Sequence, residues 1–461
     1  MYTDFYTFKQ IHQNPNLSVR LEENQSEPTR SLLLAKLPSE IIHVIISHLS
    51  APDLACVGAT CRALAEHASN DLLWANLINT RLPHRIENPG IFKTFRRLFL
   101  AYHPCWFIPE HKIWFADNEP TGSLILTRYD NRRGVIEGYE IVAERGNSQF
   151  HFWKAEPTVL VQAFDPKVRL SLDEPALFLK DPDPSSKSAP IQHLSRTNDW
   201  KLPLAHETNR IYRPLLLCSA INDQQESITD PRQYWPPPTV PSRTHTPRAG
   251  EDSQQQLVGK LSDMSEEFFC LDRLQNYRTL FADGNGKYIQ TYSALDPESY
   301  TPTKEKPYQG LWVGDYSTHG CEFILVLQNC EQDDIQREQW NIEANNHDGT
   351  IEADASETIG QQGQLQGIKL TGDMNVPRGQ YSWVSEDIGP AGLVGVAVDE
   401  PFTGARMVRC KGHVAGIGFQ DDIFIDSQLI LISTDLMAHY WKEMGHISYF
   451  RRVDIDALLQ T

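Results

Sequence analysis

The sequence predicts an α+β protein: a small unit of three short helices, then an antiparallel, barrel-like β-domain interrupted by long insertions. Three observations predict it. Apolar residues recur at helical spacing between about residues 37 and 78. From Phe107 the period falls to two, in short β-rich runs divided by turn residues. Two polar stretches, one rich in proline and one in acid, break that series.

Residues 1–31 are mixed and polar without a sustained period, which suits a flexible lead-in. The helical unit is expected over residues 32–82. Ile41, Ile42, Ile45, Ile46 and Leu49 fall on one helical face, opened by Leu37, Pro38 and Ser39. Ser50-Ala51-Pro52-Asp53 ends that helix and starts a second, with Leu54, Val57 and Cys61. A third stretch runs through Leu64, Ala65 and Ala68 to Leu73, Trp74, Leu77 and Ile78. So small a core wants a partner to finish its burial. Residues 83–104 read as a helical connector.

The β-domain is expected over residues 105–455. Runs such as Leu124 to Tyr129, Ile136 to Val142 and Val159 to Phe164 precede a proline-rich insertion at 181–256. That insertion reads as linker, with one possible strand at Ile211 to Cys218. Helical spacing of Phe268, Leu271, Leu274 and Phe281 predicts a helix over Ser262 to Phe281. Strands resume at Leu311 to Tyr316, Phe323 to Leu327, Gly367 to Thr371, Tyr381 to Val384, Met407 to Cys410, Leu429 to Ile432 and Ile447 to Val453. An acidic loop spans 331–357, where nine acidic residues meet one basic residue, Arg337. Each β-block alone is short of strands for a sandwich, so the two together are expected to close one barrel.

Acidic residues outnumber basic ones 60 to 42, giving a net charge of −18 over 461 residues. Such a surface repels nucleic acid and anionic membranes. No apolar run approaches the roughly 20 residues of a membrane-spanning helix, and no secretory signal is visible. The expected residence is cytoplasmic, nuclear or both. Eight cysteines without CxxC pairing read as reduced thiols rather than metal ligands or disulfides. There is no phosphate loop, zinc-binding HExxH or nucleophile elbow. His319 and Cys321 lack a third orienting group. No cofactor, metal or catalytic residue is expected.

The segment Leu37-Pro38-x-Glu40-Ile41-Ile42-x-x-Ile45-Ile46-x-x-Leu49, with Asp53-Leu54, Val57, Cys61-Arg62, Leu64 and Leu73-Trp74, resembles an F-box. The resemblance implies docking on the Skp adaptor and, through it, on the cullin-RING core of an SCF ubiquitin ligase. Leu37, Pro38, Ile41, Ile42, Ile45, Leu49, Leu54, Val57 and Trp74 would make that contact. Further on, Gly310-Leu311-Trp312-Val313-Gly314-Asp315-Tyr316-x-x-His319-Gly320-x-Glu322 and Lys369-Leu370-Thr371-Gly372-Asp373-x-Asn375-Val376-Pro377-x-Gly379 are similar to the family of F-box only protein 31 and its fungal relatives. So are Gly416-x-Gly418-Phe419 and the run from Trp441 to Asp454. This implies a non-catalytic adaptor whose β-domain holds a protein substrate, through a peptide segment or chain end, for ubiquitination. The implied substrate-binding residues are Trp312, Tyr316, His319, Lys369, Asp373 and Asn375.

The residues suit that role by themselves. Trp312 and Tyr316 share a strand face with Gly314, so a slot is expected between them; for Trp312, a place in the barrel core is the stronger expectation. Asp373 and Asn375 sit in a glycine-rich turn, where barrel mouths lie. Trp312 with Arg451 and Arg452 also resembles the lipocalin arrangement of an arginine over a tryptophan. A lipocalin-like barrel holding a small apolar ligand is therefore the alternative reading.

Overall fold

The computed structural model describes residues 37–103, 105–116, 121–146, 149–163, 165–173, 175–180, 202–205, 212–217, 268–274, 287–329 and 360–461. The lead-in, the acidic loop and most of the proline-rich insertion lie outside them. The chain divides into two units: residues 1–110 with Tyr129–Val135 and Asp181–Lys187, and the remainder.

The first unit is helical. It holds α1 (Ser39–Ser47), α2 (Ala51–Gly58), α3 (Arg62–Ala68), α4 (Asp71–Asn79) and α5 (Phe95–Tyr102). The expected third helix is thus two. Asn70 separates them by capping α4, its side-chain oxygen accepting from the Leu72 amide at 3.1 Å. Ser50 caps α2 in the same way, accepting from the Asp53 amide at 3.3 Å. Trp74 anchors the core, donating its ring N–H to Ala68 O at 2.9 Å and meeting Phe99 edge-on.

The second unit carries the β-structure: β1 (Ile113–Ala116), β2 (Leu124–Asp130), β3 (Val135–Glu144), β4 (Gln149–Phe152), β5 (Leu160–Ala163), β6 (Lys167–Leu170), β7 (Leu177–Lys180), β8 (Leu202–Ala205), β9 (Tyr212–Leu217), β10 (Phe268–Leu274) and β11 (Lys287–Ala294). The short helix α6 (Phe107–His111) precedes β1. After α7 (Pro297–Tyr300) come β12 (Gly310–Asp315), β13 (Cys321–Asn329), β14 (Gln364–Lys369), β15 (Tyr381–Ser385), β16 (Leu393–Val396), β17 (Arg406–Gly416), β18 (Gln420–Ser433), β19 (Leu436–Trp441), β20 (His446–Arg452) and the helix α8 (Ile455–Leu459). The strand expected at 211–218 is β9. The helix expected over 262–281 is not formed at its centre, where β10 pairs with β9 and β11. Its apolar spacing fits either period over so few residues, and tertiary pairing decides.

The two β-blocks do not share one barrel. β12, β13, β14, β15, β17, β18, β19 and β20 pair in that order, and a β12–β20 ladder closes eight strands of the C-terminal block into an antiparallel barrel by themselves. β16 lies beside β17, and the β4–β5 hairpin joins β20 through a parallel pairing. The upstream strands form a separate sheet, β2-β1-β11-β10-β9-β8-β7-β3-β6, in which β2 also pairs with β3.

Period-two alternation explains how the layers meet. On β12, β13 and β14, Leu311, Val313, Phe323, Leu325 and Ile368 face outward and pack with Ile113, Phe115, Leu124 and Ile141 of the other sheet. The alternate residues Trp312, Ile324, Val326 and Leu365 face the lumen with Trp383, Leu429, Met437 and Phe450. Wall glycines admit these rings. A Cβ on Gly314 would lie 2.3 Å from Phe450, one on Gly367 2.4 Å from Trp383, and one on Gly412 2.3 Å from Trp441. The slot expected beside Gly314 is therefore filled by the Phe450 ring.

Candidate functional site

Trp312 is at the closed end of the barrel, not at its mouth. It is fully buried, donates from its ring nitrogen to Tyr308 O at 3.0 Å, and lies under Arg452 at 5.2 Å. Arg452 donates to the carbonyls of Gln309 (3.1 Å), Pro307 and Thr434, and pairs with Asp435 at 3.0 Å. The arginine-over-tryptophan arrangement is thus present. The lumen above it, however, is occupied by Trp383 and Phe450, so this feature gives the lipocalin-like alternative no support.

At the other end, the β12–β13 turn, the 370–380 turn and the β17–β18 tip come together. Three of the six expected residues meet there around one ammonium. Lys369, buried at the end of β14, is 2.7 Å from Asp373 Oδ2 and 2.8 Å from Glu322 Oε2, and its charge lies 4.4 Å from the Tyr316 ring centre. Asp373 Oδ1 accepts the amides of Asn375 (2.6 Å) and Val376 (2.8 Å), which folds the turn onto the ion pair. Asn375 carries the connection onward, donating from Nδ2 to Ala415 O on β17 at 2.9 Å. The Tyr316 hydroxyl shares a hydrogen bond of 2.6 Å with Ser382 Oγ.

His319 is apart from this cluster. It ends a short 3-10 turn, Ser317–His319, with its side chain exposed. That turn is fixed from below: Asp315 accepts the Ser317 amide at 2.9 Å, and is itself held by Arg145 (2.7 Å) and Gln162 (2.6 Å).

Two carboxylates around one buried ammonium cannot both be charged at low cost. Burial, and then the Asp373 charge, push Glu322 up to about 8 despite Lys369 beside it. For Asp373 burial acts upward too, but Lys369 and the turn amides outweigh it and hold the carboxyl at about 2. The mouth therefore holds a Lys369–Asp373 ion pair, with burial biasing the Glu322 carboxyl toward its neutral form. Glu322 and Ser382 were missed as site residues. Glu322 sits opposite Gly314 in the ladder, and no local pattern marks a strand residue that turns inward onto a lysine 47 positions later.

Cys321 shows no sign of nucleophilic use, since burial and then the Asp315 charge raise its thiol to about 11. The five cysteines with described side chains are all free.

In the helical unit, the expected docking residues divide by exposure. Leu37, Pro38, Ile41 and Ile45 are exposed; Ile42, Leu54 and Trp74 are core; Leu49 and Val57 are intermediate. Val44 and Leu72 (71 %), neither of them among the expected docking residues, are also exposed. α1 is apolar on two faces, one turned inward through Ile42 and Ile46 and one outward. No helix among the described residues is long and apolar enough to cross a membrane.

Comparison with known families agrees with this division. An F-box-like family model matches residues 34–80, and a model described as the cyclin D1 binding domain matches residues 292–457. No curated protein matches the chain. The first match supports an F-box protein and, in general terms, a substrate-recognition role in SCF-type ligases. The second covers the whole barrel.

Proposed function

We propose that this protein is the substrate-recognition subunit of an SCF-type ubiquitin ligase, docking on Skp through its helices and holding a protein substrate at the barrel mouth. The observation that carries the reading is the uncovered apolar surface of the F-box-like segment. Ile41, Val44, Ile45 and Leu72 remain outside a unit that has already buried Ile42, Ile46, Leu54 and Trp74. Large apolar side chains left exposed in this way suit a protein-docking face. The protein acts as a non-catalytic adaptor, bringing its substrate to the ligase core.

The mouth suits capture of an extended peptide or chain end, because it presents few polar groups at fixed positions beside aromatic rings. The family matched over the barrel is named for cyclin D1, which makes a D-type cyclin the first substrate to test. Co-expression with Skp should give a stoichiometric complex. Ile41→Glu with Ile45→Glu should abolish it while leaving the β-rich unit folded, because both side chains are exposed. Retention of Skp by that double variant would remove the F-box reading.

A further inference from the structure

The β17–β18 hairpin outgrows its neighbours. β18 has 14 residues and β19 only six, and their register ends at Gln428↔Tyr440. β15 reaches β17 only at Trp383↔Gly412 and Val384↔Lys411. Residues 420–425 therefore pair with β17 and, among the described residues, with no strand on their other side. At about 3.3 Å per residue this is at most roughly 20 Å of edge beside the mouth, since the 3-10 turn Lys442–Met444 also packs against β18.

Its side chains have a definite character. Ile423 lies on the face that carries Ile425, which farther down turns toward the lumen, yet Ile423 is 56 % exposed. Ile417 is 70 % exposed, and Met374 is 61 % exposed on the turn whose carbonyl accepts the Gly418 amide at 2.8 Å. Acid surrounds this apolar strip: Asp421 and Asp422 are exposed, as is Asp426, which is already paired with Lys411 at 2.5 Å.

The tip is held in place. His413 stacks on Phe424 at 4.3 Å and meets Phe419 edge-on. Its Nδ1 lies 2.7 Å from Tyr381 O and its Nε2 3.0 Å from Asp422 Oδ2. Phe419 and Asp421 both take positive φ, 57° and 50°, which non-glycine residues adopt at a cost and which the surrounding contacts maintain.

We propose that this overhanging edge of β18 receives the substrate as an added antiparallel strand, and that the strand it selects alternates apolar with basic residues. The inference rests on the reading of the mouth as a capture site and gives that capture its geometry. An open edge supplies backbone partners to any extended chain. Ile423, Ile417 and Met374 then select apolar residues, and the aspartates select lysine or arginine over acid. A pre-formed edge lowers the ordering cost to that of the peptide alone. The same acidic residues would also serve simply to keep the edge from pairing, and the experiment separates the two roles.

The test uses the full chain in complex with Skp and nine-residue peptides alternating valine with lysine or valine with glutamate. Anisotropy titration should show the lysine peptide binding at least tenfold more tightly, with affinity falling as salt rises. Hydrogen exchange should show its binding protecting amides 420–425. Asp421→Lys with Ile423→Glu, both on exposed side chains, should reduce binding and substrate retention at least tenfold without changing the Skp complex. Equal binding of both peptides, or protection elsewhere than 420–425, overturns the proposal. If that variant retains substrate while Asp373→Ala with Asn375→Ala loses it, the edge is excluded and the mouth stands. If neither variant loses substrate, the mouth reading itself falls.

Discussion

At the closed end of the barrel the Arg452 guanidinium lies 5.2 Å from the Trp312 ring; at the mouth the Lys369 ammonium lies 4.4 Å from the Tyr316 ring. Both are cations over aromatics. Their other partners differ. Arg452 is satisfied chiefly by backbone carbonyls, which do not titrate, and by Asp435. Lys369 is satisfied by two carboxylates, one held low by that contact and one pushed up by burial. An arginine fork fits fixed carbonyls, whereas a lysine is a point charge whose surroundings respond to protons. The closed end is therefore built to hold the barrel, and the mouth to hold a particular charge state.

The largest expected effect is at the closed end. Trp312→Ala removes a fully buried ring and the surface on which Arg452 rests, which should cost about 3–5 kcal/mol. For a unit of this size that lowers the melting temperature by roughly 10 °C, measurable by circular dichroism. A loss under 1 kcal/mol, with the melt otherwise unchanged, would mean that this end does not hold the barrel.

Lys369→Met should cost less, about 2 kcal/mol, because Asp373 keeps its two amide donors and burial already biases Glu322 toward its neutral form. Its functional effect should be larger than its effect on stability. Without the ammonium, the 370–380 turn loses the anchor that sets Asp373 and Asn375. Substrate retention should drop at least tenfold while the Skp complex survives. Retention at the original level would show that the cluster serves the fold alone.

The division between the two ends follows what was legible in the sequence. Short-range pattern was sufficient for helices α1 and α2, for the period-two strands and for Trp312 as core. It also marked Tyr316 by strand spacing and Asp373 and Asn375 by turn composition, whereas Lys369 came only with the family resemblance. It failed where pairing partner decides. Residues 268–274 read equally as helix or strand until β9 and β11 flank them. The outward face of α1 was legible in part: Ile41 and Ile45 were expected to dock, but periodicity alone does not separate them from the buried Ile42 and Ile46, and Val44 was not marked. Glu322 was missed because only the pairing of β13 with β14, across the acidic loop, brings it to Lys369. The count of strands in each block was likewise misjudged, since β16, β17 and β19 were partly or wholly hidden in turn-rich sequence.

The smallest effect is the most diagnostic of the comparison. The Glu322 carboxyl is raised from its ordinary 4.5 to about 8 in the folded chain. Its contribution to stability is whole below about pH 4.5, where folded and unfolded chains both carry the proton. As pH rises toward 8 the unfolded chain has released that proton while the folded chain retains it, so stability falls with pH. Asp373, held at about 2 against an ordinary 3.8, acts in the opposite window: its contribution is present above pH 3.8 and lost toward pH 2. His439, which burial keeps neutral to about 3, affects only the range below its ordinary 6.5. Between pH 7 and 9 Glu322 is thus the cluster's own titrating group. Melting temperature should decline over that range by roughly 2–4 °C, equivalent to about 1 kcal/mol. Glu322→Gln imitates the protonated carboxyl and should flatten the decline, matching the parent near pH 4.5 and exceeding it increasingly as pH rises toward 8. Trp312→Phe, which retains a ring under Arg452, should lower the whole curve without altering its slope. An unaltered slope in Glu322→Gln would place the pH response elsewhere and remove the distinction between the two ends.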